Sequence, residues 1–295
     1  MAADLPDLKT QWLKDGFAVE ILDLDLPTAR EAELLAFDEI CRRQAVVVVR
    51  NQDLSPAQVM EVSSRLGRVS PQNYTGPHPD FPGISILSNK KVDGKYIGVR
   101  DAGRNWHTDG TTYAKLGLRT MLYGVECPDE GSDTLIADAA AAFEALPAER
   151  QAELEKLSIV HNRAHLILKY SRSALSPEEL ARMQDVIHPI VVKSDVDGRK
   201  SLFITNGSTK RIDGMEEEAS WALVQELMDH CTQPQFVYAH KWRAGDCLIW
   251  NDVGTLHSAT PYDEEKYIRL VYRTWMRPFE VAAVTSEVEA ALQHH

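Results

Sequence analysis

The sequence predicts a mainly β protein with helical insertions, built on a double-stranded β-helix, the jelly-roll or cupin-like fold. Many short runs rich in β-branched and aromatic residues favour a sandwich or barrel. Helical patterns interrupt these runs irregularly, which argues against a doubly wound sheet. The chain has 295 residues, a length that suits one such core with added helices. We therefore expect a single domain over residues 1–295, with its core at about 45–277 and a tail at 284–295.

The first elements of this fold are two helices that flank a strand. Apolar residues at helical spacing predict a helix over Thr28–Gln44, capped by its threonine. The β-branched run Ala45–Val49 follows directly and predicts a buried strand. A second helix is predicted over Ser55–Leu66, with the serine as its N-cap. Residues 70–83 are rich in proline and glycine, which predicts a loop.

The rest of the chain supplies the strands of the predicted jelly roll and its helical insertions. β-Propensity and length predict strands over Ile84–Leu87, Leu118–Val125, Thr134–Ala137, Ile190–Val192, Leu202–Ile204, Gln235–His240, Cys247–Trp250 and Ile268–Trp275. Helical periodicity predicts insertions over Ala139–Leu157, Pro177–Met183 and Glu216–Cys231.

Charge and cysteine usage disfavour several classes of protein. The formal net charge is −12, which opposes binding of duplex phosphates over a broad face, so we expect no nucleic-acid partner. A small basic pocket is still compatible with that charge. The 4 cysteines are scattered without a C-x-x-C pair, which disfavours a disulfide framework and a structural zinc site. No G-x-G-x-x-G or Walker loop occurs, which disfavours nucleotide binding.

The apolar runs of the sequence are short. The first residues lack the apolar stretch of a signal peptide. No run approaches the roughly 20 residues that a membrane helix needs. We therefore expect a cytoplasmic protein with no membrane partner, and a homo-oligomer is left open.

Two histidines stand two residues before an aspartate, a spacing that points both side chains the same way on an extended backbone. In His78-Pro79-Asp80 the surrounding prolines and glycines favour a surface turn. His107-Thr108-Asp109 follows Trp106 and precedes Gly110, with no proline beside it. One distant histidine would complete with it the two-His-one-carboxylate set of non-haem iron(II) oxygenases, which leaves metal positions open.

His257 is the candidate for that distant histidine, because it follows an apolar strand that ends in polar residues. Beyond it, Arg269 and Arg273 are four residues apart in a predicted strand, which places them on one face. Two arginines are expensive to bury without anions. They are interpreted as a clamp for carboxylates, although a solvent-facing edge strand would give the same pattern.

The sequence resembles the iron(II)/2-oxoglutarate-dependent dioxygenases of the taurine dioxygenase and 2,4-dichlorophenoxyacetate dioxygenase family. The resemblance runs from about Ala45 to Arg277, nearly the whole chain. It rests on the order and spacing of several segments, namely Val46–Gln52, Asn105–Asp109, Gly131–Leu135, Phe143–Pro147, His188–Val191, Gly198–Leu202, and Ile249–Asp252 through His257 to Arg273.

The resemblance implies a cofactor, two cosubstrates and the residues that hold them. The cofactor would be Fe(II), with 2-oxoglutarate and O2 as cosubstrates. His107, Asp109 and His257 match the iron ligands of the family. Thr134 and Arg269 match the pair that holds the far carboxylate of 2-oxoglutarate. The expected reaction is oxidation, by hydroxylation, of a small acidic substrate, with release of succinate and CO2.

The resemblance also implies residues for the primary substrate. Arg273 matches an arginine that meets an acidic group of the substrate or lies beside the cosubstrate. Asn105 falls close to a substrate-binding position, and Tyr74 is a candidate for the pocket wall. The loop around Tyr74 lacks the histidine with which taurine dioxygenase binds its sulfonate. Taurine is therefore not the expected substrate.

One tripeptide departs from the family pattern. The usual Trp-Asp-Asn before the distal histidine is Trp250-Asn251-Asp252 in this chain. We expect the exchange to alter hydrogen bonding within the loop and to leave the metal site unaffected.

Two alternatives use the same residues differently. A zinc hydrolase could employ His107, Asp109 and His257, but zinc needs only one open position, and Arg269 and Arg273 would then have no role. A non-catalytic jelly-roll protein that binds a ligand is the second alternative, and the intact set of metal ligands argues against it.

Overall fold

The computed structural model describes residues 5–71, 76–100, 102–117, 119–170 and 175–277. Tyr74 and the tail at 284–295 lie outside the described residues. The strands are β1 (Thr10–Lys14), β2 (Ala18–Ile21), β3 (Val46–Val49), β4 (Arg68–Val69), β5 (Ser85–Ser88), β6 (Lys91–Val92), β7 (Lys95–Tyr96), β8 (Arg119–Glu126), β9 (Thr134–Asp138), β10 (Ser158–Asn162), β11 (Asp185–Pro189), β12 (Val191–Lys193), β13 (Lys200–Leu202), β14 (Thr209–Ile212), β15 (Val237–His240), β16 (Cys247–Asn251), β17 (Thr255–Ala259) and β18 (Leu270–Arg277). The helices are α1 (Glu31–Arg43), α2 (Pro56–Leu66), α3 (Ala139–Glu144), α4 (Ala148–Leu154), α5 (Arg163–Tyr170), α6 (Pro177–Arg182) and α7 (Glu217–Cys231), with 3₁₀ turns at Pro234–Phe236 and Asp252–Gly254.

The larger sheet has the strand order β1-β2-β3-β16-β8-β18-β4, and β5 also pairs with β18. Its pairs are antiparallel except for β2 and β3. Alternate residues of β3 point to opposite faces, as the period of a strand requires. Val47 and Val49 pack under α1 and α2, while Val46 and Val48 point into the interior. A fully buried β3 therefore separates two apolar layers.

A smaller sheet, with the order β15-β9-β17, faces the larger one. Ile136 and Tyr238 of the smaller sheet share a buried cluster with Val48 and Leu248 of the larger sheet. The far side of the smaller sheet packs against α3 and α7, with Ala137 and Leu256 in that second cluster. Two facing sheets with helices on their outer sides confirm the predicted jelly-roll class with helical insertions.

Two predicted helix boundaries were wrong for local reasons. The first helix begins at Glu31, because the Thr28 hydroxyl hydrogen-bonds the Asp25 carboxylate, and Arg30 takes the N-cap position with Glu33 accepting from its backbone N–H. The predicted helix over Ala139–Leu157 is two helices. They are α3 and α4, and Pro147 is the N-cap of the second.

The last strand begins later than predicted. β18 starts at Leu270, so Arg269 lies just before the strand, and the pairing with β8 shifts register between Leu270 and Val271. The argument that one regular strand carries both Arg269 and Arg273 on one face was therefore wrong. The strands that were not predicted are β1, β2, β4, β6, β7, β10, β11, β14 and β17. Among the described residues, no helix is long and apolar enough to cross a membrane.

Candidate metal centre

Main-chain pairing brings the two candidate histidine ligands together. The His107 N–H donates to the His257 carbonyl at 3.0 Å, and the His257 N–H donates to the His107 carbonyl at 2.7 Å. This isolated bridge joins β17 to the segment before β8. Two residues further along, the Ala259 N–H donates to the Gly103 carbonyl at 2.7 Å and extends the pairing. The imidazole rings lie 4.1 Å apart, centroid to centroid.

Asp109 completes a cluster with these two rings. One ligand atom from each of His107, Asp109 and His257 lies within 4.8 Å of the others. Asp109 Oδ1 is 3.9 Å from His107 Nε2, and Asp109 Oδ2 is 3.8 Å from His257 Nε2. Over the described part of the chain, no other group of three His, Cys, Asp or Glu side chains meets this criterion. The sequence-predicted set is therefore assembled in space.

Both imidazoles are prepared to offer Nε2 to a metal. His107 Nδ1 lies 2.7 Å from the carbonyl oxygen of Asn105. A carbonyl only accepts, so Nδ1 carries the proton and Nε2 keeps its lone pair. Burial lowers the pKa of His257 well below its ordinary value, and the nearby His107 and Arg273 lower it further. Neutral imidazole is the form that ligates metals.

The Asp109 carboxylate is fixed by a residue that the sequence analysis did not identify as part of the site. Trp275 Nε1 donates a hydrogen bond to Asp109 Oδ2 at 2.8 Å. The Asp109 side chain is only 12% exposed, so water competes poorly for this bond. The bonded Oδ2 lies near His257 Nε2, and the other oxygen, Oδ1, lies near His107 Nε2, so the indole holds the carboxylate between the two imidazoles.

The exchanged tripeptide lies directly behind His257. The Asn251 side chain accepts from the Val253 N–H, which is the loop bonding expected from the sequence. Asp252, however, is buried, and its Oδ1 lies 3.9 Å from His257 Nδ1. Burial, with the charge of Asp109, raises the pKa of Asp252 well above its ordinary value. Asp252 therefore lies beside a candidate metal ligand, which the sequence analysis did not anticipate, and its effect on the metal is a prediction.

Asp252 is fixed in place by two donors. Thr120 Oγ1 donates to Oδ2 at 2.7 Å, and Trp250 Nε1 donates to Oδ1 at 2.9 Å. The adjoining His257 Nδ1 is enclosed and has no hydrogen-bond partner in the described structure. A carboxylate behind the second nitrogen of a metal-binding histidine raises the basicity of that ligand. The arrangement fits a bound metal cation.

The donor set fits the metal that the resemblance implies. Two imidazole nitrogens and one carboxylate oxygen form the facial triad of non-haem Fe(II) oxygenases, and they leave the opposite positions for other ligands. His107, Asp109 and His257 therefore could hold a metal ion in this chain.

Arg269 is the residue that directly precedes β18. Its main chain is fixed, since its N–H donates to Asn89 Oδ1 at 2.8 Å and its carbonyl accepts from Ser88 Oγ at 2.6 Å. Burial lowers the pKa of Arg269, and the nearby Cys127 opposes that change. No carboxylate of the described residues forms a salt bridge with it. A buried charge without a partner is costly, so this guanidinium favours the binding of an anion from outside the chain.

Thr134 begins β9 and is buried, at 3% exposure. Its hydroxyl accepts a hydrogen bond from Trp242 Nε1 at 3.0 Å. Trp242 belongs to the buried cluster against which Cys127 packs, and Cys127 is the neighbour that opposes the lowered pKa of Arg269. Thr134 and Arg269 are therefore linked through neighbouring side chains, Thr134 through Trp242 and Arg269 through Cys127.

Arg273 lies nearest to the candidate metal ligands. Its Cζ is 4.2 Å from the centroid of the Trp275 ring, a stacking contact. Its Nε is enclosed without a hydrogen-bond partner in the described residues, and one terminal nitrogen is 3.5 Å from Ser85 Oγ. Burial lowers the pKa of Arg273, and Asp109 and Asp252 oppose that change. The solvent-facing alternative does not fit this enclosed Nε.

The remaining predictions have different outcomes. Asn105 is exposed, and its main-chain carbonyl orients His107, while its role in substrate binding stays a prediction. Tyr74 lies outside the described residues. His78 is in a turn, where its Nδ1 accepts from the Asp80 N–H at 3.2 Å and its ring packs against Phe81. The turn prediction for His78 is confirmed.

Two facing sheets with this ligand set at their edge define a metal-binding jelly-roll protein of the non-haem oxygenase type. Residues 9–275 match the family described as "Taurine catabolism dioxygenase TauD, TfdA family". The chain belongs to this family, and the resemblance inferred from the sequence is confirmed. It is an oxidoreductase, a 2-oxoglutarate-dependent dioxygenase, with Fe(II) as cofactor and 2-oxoglutarate and O2 as cosubstrates.

Two relatives and one solved structure illustrate the similarity. Pentalenolactone F synthase of Streptomyces arenae is 29% identical over 263 residues, which is 83% of this chain and 86% of the relative. The alpha-ketoglutarate-dependent 2,4-dichlorophenoxyacetate dioxygenase of Cupriavidus pinatubonensis is 29% identical over 260 residues, 84% and 90% of the two chains. The crystal structure of AAD-2 with Mn(II) and N-oxalylglycine has a TM-score of 0.79 at 24% identity, covering 93% and 99%.

Proposed function

We propose that His107, Asp109 and His257 hold Fe(II), and that the enzyme hydroxylates a small organic acid with release of succinate and CO2. The observation that carries the assignment is the assembled donor set, with ligand atoms within 4.8 Å and both Nε2 atoms turned inward. When bound, the iron supplies the redox chemistry of oxygen activation. The protein supplies ligand geometry, exclusion of water and charge neutralisation.

We assign Arg269 and Thr134 to the far carboxylate of 2-oxoglutarate. Arg269 is partly buried without a carboxylate partner among the described residues, so a dianion would relieve its desolvation. Thr134 Oγ1 accepts from Trp242, which leaves the hydroxyl hydrogen for an acceptor such as a carboxylate. A guanidinium and a hydroxyl together suit the planar, charged end of a keto acid.

We assign Arg273 to the acidic group of the primary substrate. Its enclosed Nε lacks a partner within the described residues, and it lies close enough to Asp109 for their charges to interact. An anion held there would place the rest of the substrate at the metal. A relative named for 2,4-dichlorophenoxyacetate, an aryloxy acid, supports this chemistry. Aryloxy acids are therefore the first class to test, followed by sulfonates and N-substituted amino acids.

The proposed cofactor and cosubstrate can be tested without knowing the substrate. Anaerobic protein loaded with Fe(II) and 2-oxoglutarate should develop a metal-to-ligand charge-transfer band. Asp109→Ala is the matched control, because it removes one ligand and should abolish the band while the chain stays folded. A metal-loaded, folded wild type without the band would contradict the assignment. Hydrolysis supported by Zn(II) alone would favour the zinc hydrolase alternative.

The substrate class is tested by turnover. A panel of aryloxy acids, sulfonates and N-substituted amino acids is scored by succinate release under O2, with each uncharged ester or amide analogue as a control. We expect release above the uncoupled background for an acid and not for its uncharged analogue. Equal stimulation by acid and analogue would contradict the role of Arg273.

Further sequence predictions complete the proposal. We propose a single domain and a cytoplasmic location. The net charge of −12 supports the expectation that the chain has no nucleic-acid partner. Homo-oligomerisation stays open, and light scattering of the purified protein would decide it.

A further inference from the structure

We propose that Trp275 is a positioning residue that serves the metal and the anion at once, through two different parts of its indole. The ring N–H fixes the carboxylate of Asp109, and the ring face fixes the guanidinium of Arg273. This inference rests on the proposed function, since it assumes that Asp109 binds the metal and that Arg273 faces an anion.

The bond to Asp109 determines how that carboxylate is presented. Trp275 Nε1 donates to Oδ2 at 2.8 Å, and an indole N–H can only donate. Rotation of the carboxylate away from the imidazoles would break this bond inside a largely water-excluded site. The remaining oxygen, Oδ1, lies 3.9 Å from His107 Nε2. Hydrogen bonds of this kind orient metal-binding carboxylates and tune their affinity.

The stacking contact determines where Arg273 points. Its Cζ lies 4.2 Å from the centroid of the Trp275 ring, a distance at which a cation is attracted to an aromatic face. Arg273 and Trp275 are two residues apart on β18, so their side chains leave the same face of the strand. The guanidinium has its Nε enclosed without a partner in the described residues. The ring is therefore the main contact that sets its direction.

The two functions use separable chemical features, which allows a matched pair of substitutions. Trp275→Phe keeps an aromatic face for Arg273 and removes the N–H. Trp275→Gln removes the face and keeps an N–H donor the same number of bonds from the backbone as indole Nε1. Trp275 is only partly buried, so both variants should fold, which circular dichroism would verify.

Co(II) binding without O2 measures the first function. Binding of 2,4-dichlorophenoxyacetate, an aryloxy acid, to the protein saturated with Co(II) and 2-oxoglutarate measures the second. For Trp275→Phe we expect the dissociation constant of Co(II) to rise about 10-fold and that of 2,4-dichlorophenoxyacetate to stay the same. For Trp275→Gln we expect near wild-type Co(II) affinity and 2,4-dichlorophenoxyacetate binding weakened by about 5-fold, the upper end for a cation–π contact at a partly exposed site.

The outcomes separate this inference from the proposed function. If Trp275→Phe binds Co(II) as tightly as wild type, or if both variants lose both affinities equally, the two-part role is wrong and the indole is simple packing. If wild type itself binds neither Co(II) nor 2,4-dichlorophenoxyacetate, while Asp109→Ala behaves identically, the proposed function fails instead. Should Trp275→Gln not fold, Arg273→Gln tests the anion-binding part directly, because it should weaken 2,4-dichlorophenoxyacetate binding and leave Co(II) affinity unchanged.

Discussion

His107 and His257 are hydrogen-bonded to each other through their main chains in both directions, at 3.0 and 2.7 Å. This pairing holds the two main chains side by side, and the ring centroids lie 4.1 Å apart. Asp109 follows His107 by two residues on the same segment, so its place is set by the same pairing. We therefore predict that main-chain hydrogen bonds preorganise the ligand set and that metal binding drives little folding.

The first prediction concerns metal removal. A chelator should leave the protein folded, because the bridge between His107 and His257 needs no metal. Added Co(II) should stabilise the native state by mass action, by about 2.7 kcal/mol when its concentration is 100 times the dissociation constant. Thermal unfolding with EDTA and with Co(II) measures both effects. Asp109→Ala should unfold at a temperature that Co(II) no longer raises, and unfolding by EDTA alone would contradict preorganisation.

The second prediction concerns the exchanged tripeptide. Asp252→Asn should keep both local hydrogen bonds, since an amide can accept from Trp250 and donate to the Thr120 hydroxyl. It removes the acidic group 3.9 Å from His257 Nδ1. We expect metal affinity to fall about 10-fold, because an acidic group next to a metal-binding histidine is lost. Anaerobic Co(II) titration measures this change.

Asn251→Asp is the matched control for Asp252→Asn. It introduces an acidic group on the neighbouring residue, whose side chain caps the turn by accepting from Val253. An aspartate can accept that bond equally well. We expect its Co(II) affinity to stay near wild type, so a similar loss in both variants would indicate a general disturbance of the loop.

The part of the site that lies close together in sequence could be predicted from the sequence. His107 and Asp109 share an extended segment, and the i, i+2 spacing alone places their side chains together. Proline fixes the backbone around His78 in a turn, which separated that set from the one that the structure brings together. His257 required a long-range pairing, and the sequence indicated it through the apolar strand before it and through its order among the family segments.

Residues that act through tertiary contacts could not be predicted in this way. Nothing local indicates that the Trp275 indole reaches Asp109, 166 positions away. Trp275 is two residues from Arg273 on one strand, which predicts that the two side chains share a face. This spacing does not predict that the indole bonds to Asp109. The start of β18 was missed because the register shift after Leu270 depends on its pairing with β8. Such pairings are decided by the assembled sheet.

The third prediction concerns Arg269. Arg269→Ala should weaken 2-oxoglutarate binding about 100-fold, since it removes charge-assisted hydrogen bonds worth roughly 3 kcal/mol. Co(II) affinity should stay the same, because Arg269 contacts none of the three ligands. Arg269→Lys keeps the charge but not the planar fork, so we expect an intermediate loss. Isothermal titration of the Co(II)-loaded protein measures these values, and equal loss of metal and 2-oxoglutarate would contradict the assignment.

The fourth prediction concerns stability in acid. His161 is buried, and its Nε2 has no hydrogen-bond partner among the described residues. Burial lowers its pKa from 6.5 to about 3, and the neighbouring His188 contributes. Between pH 6.5 and about 3, His161 therefore binds a proton in the unfolded chain but not in the native state. The stabilisation is complete above pH 6.5 and declines as the pH falls towards 3. At pH 5 the loss is about 2 kcal/mol relative to pH 8.

Urea unfolding at pH 8 and pH 5 measures this difference in the free energy of unfolding. His161→Gln cannot titrate, so the change between the two pH values should shrink by about 2 kcal/mol, whatever the variant does to stability at pH 8. His78→Gln is the matched control, because it removes an imidazole from a turn and leaves the surroundings of His161 unchanged, so the same shrinkage in this variant would contradict the assignment to His161. An unchanged pH dependence in His161→Gln would mean that His161 is protonated in the native state, with its charge accommodated between Ser208 and His188.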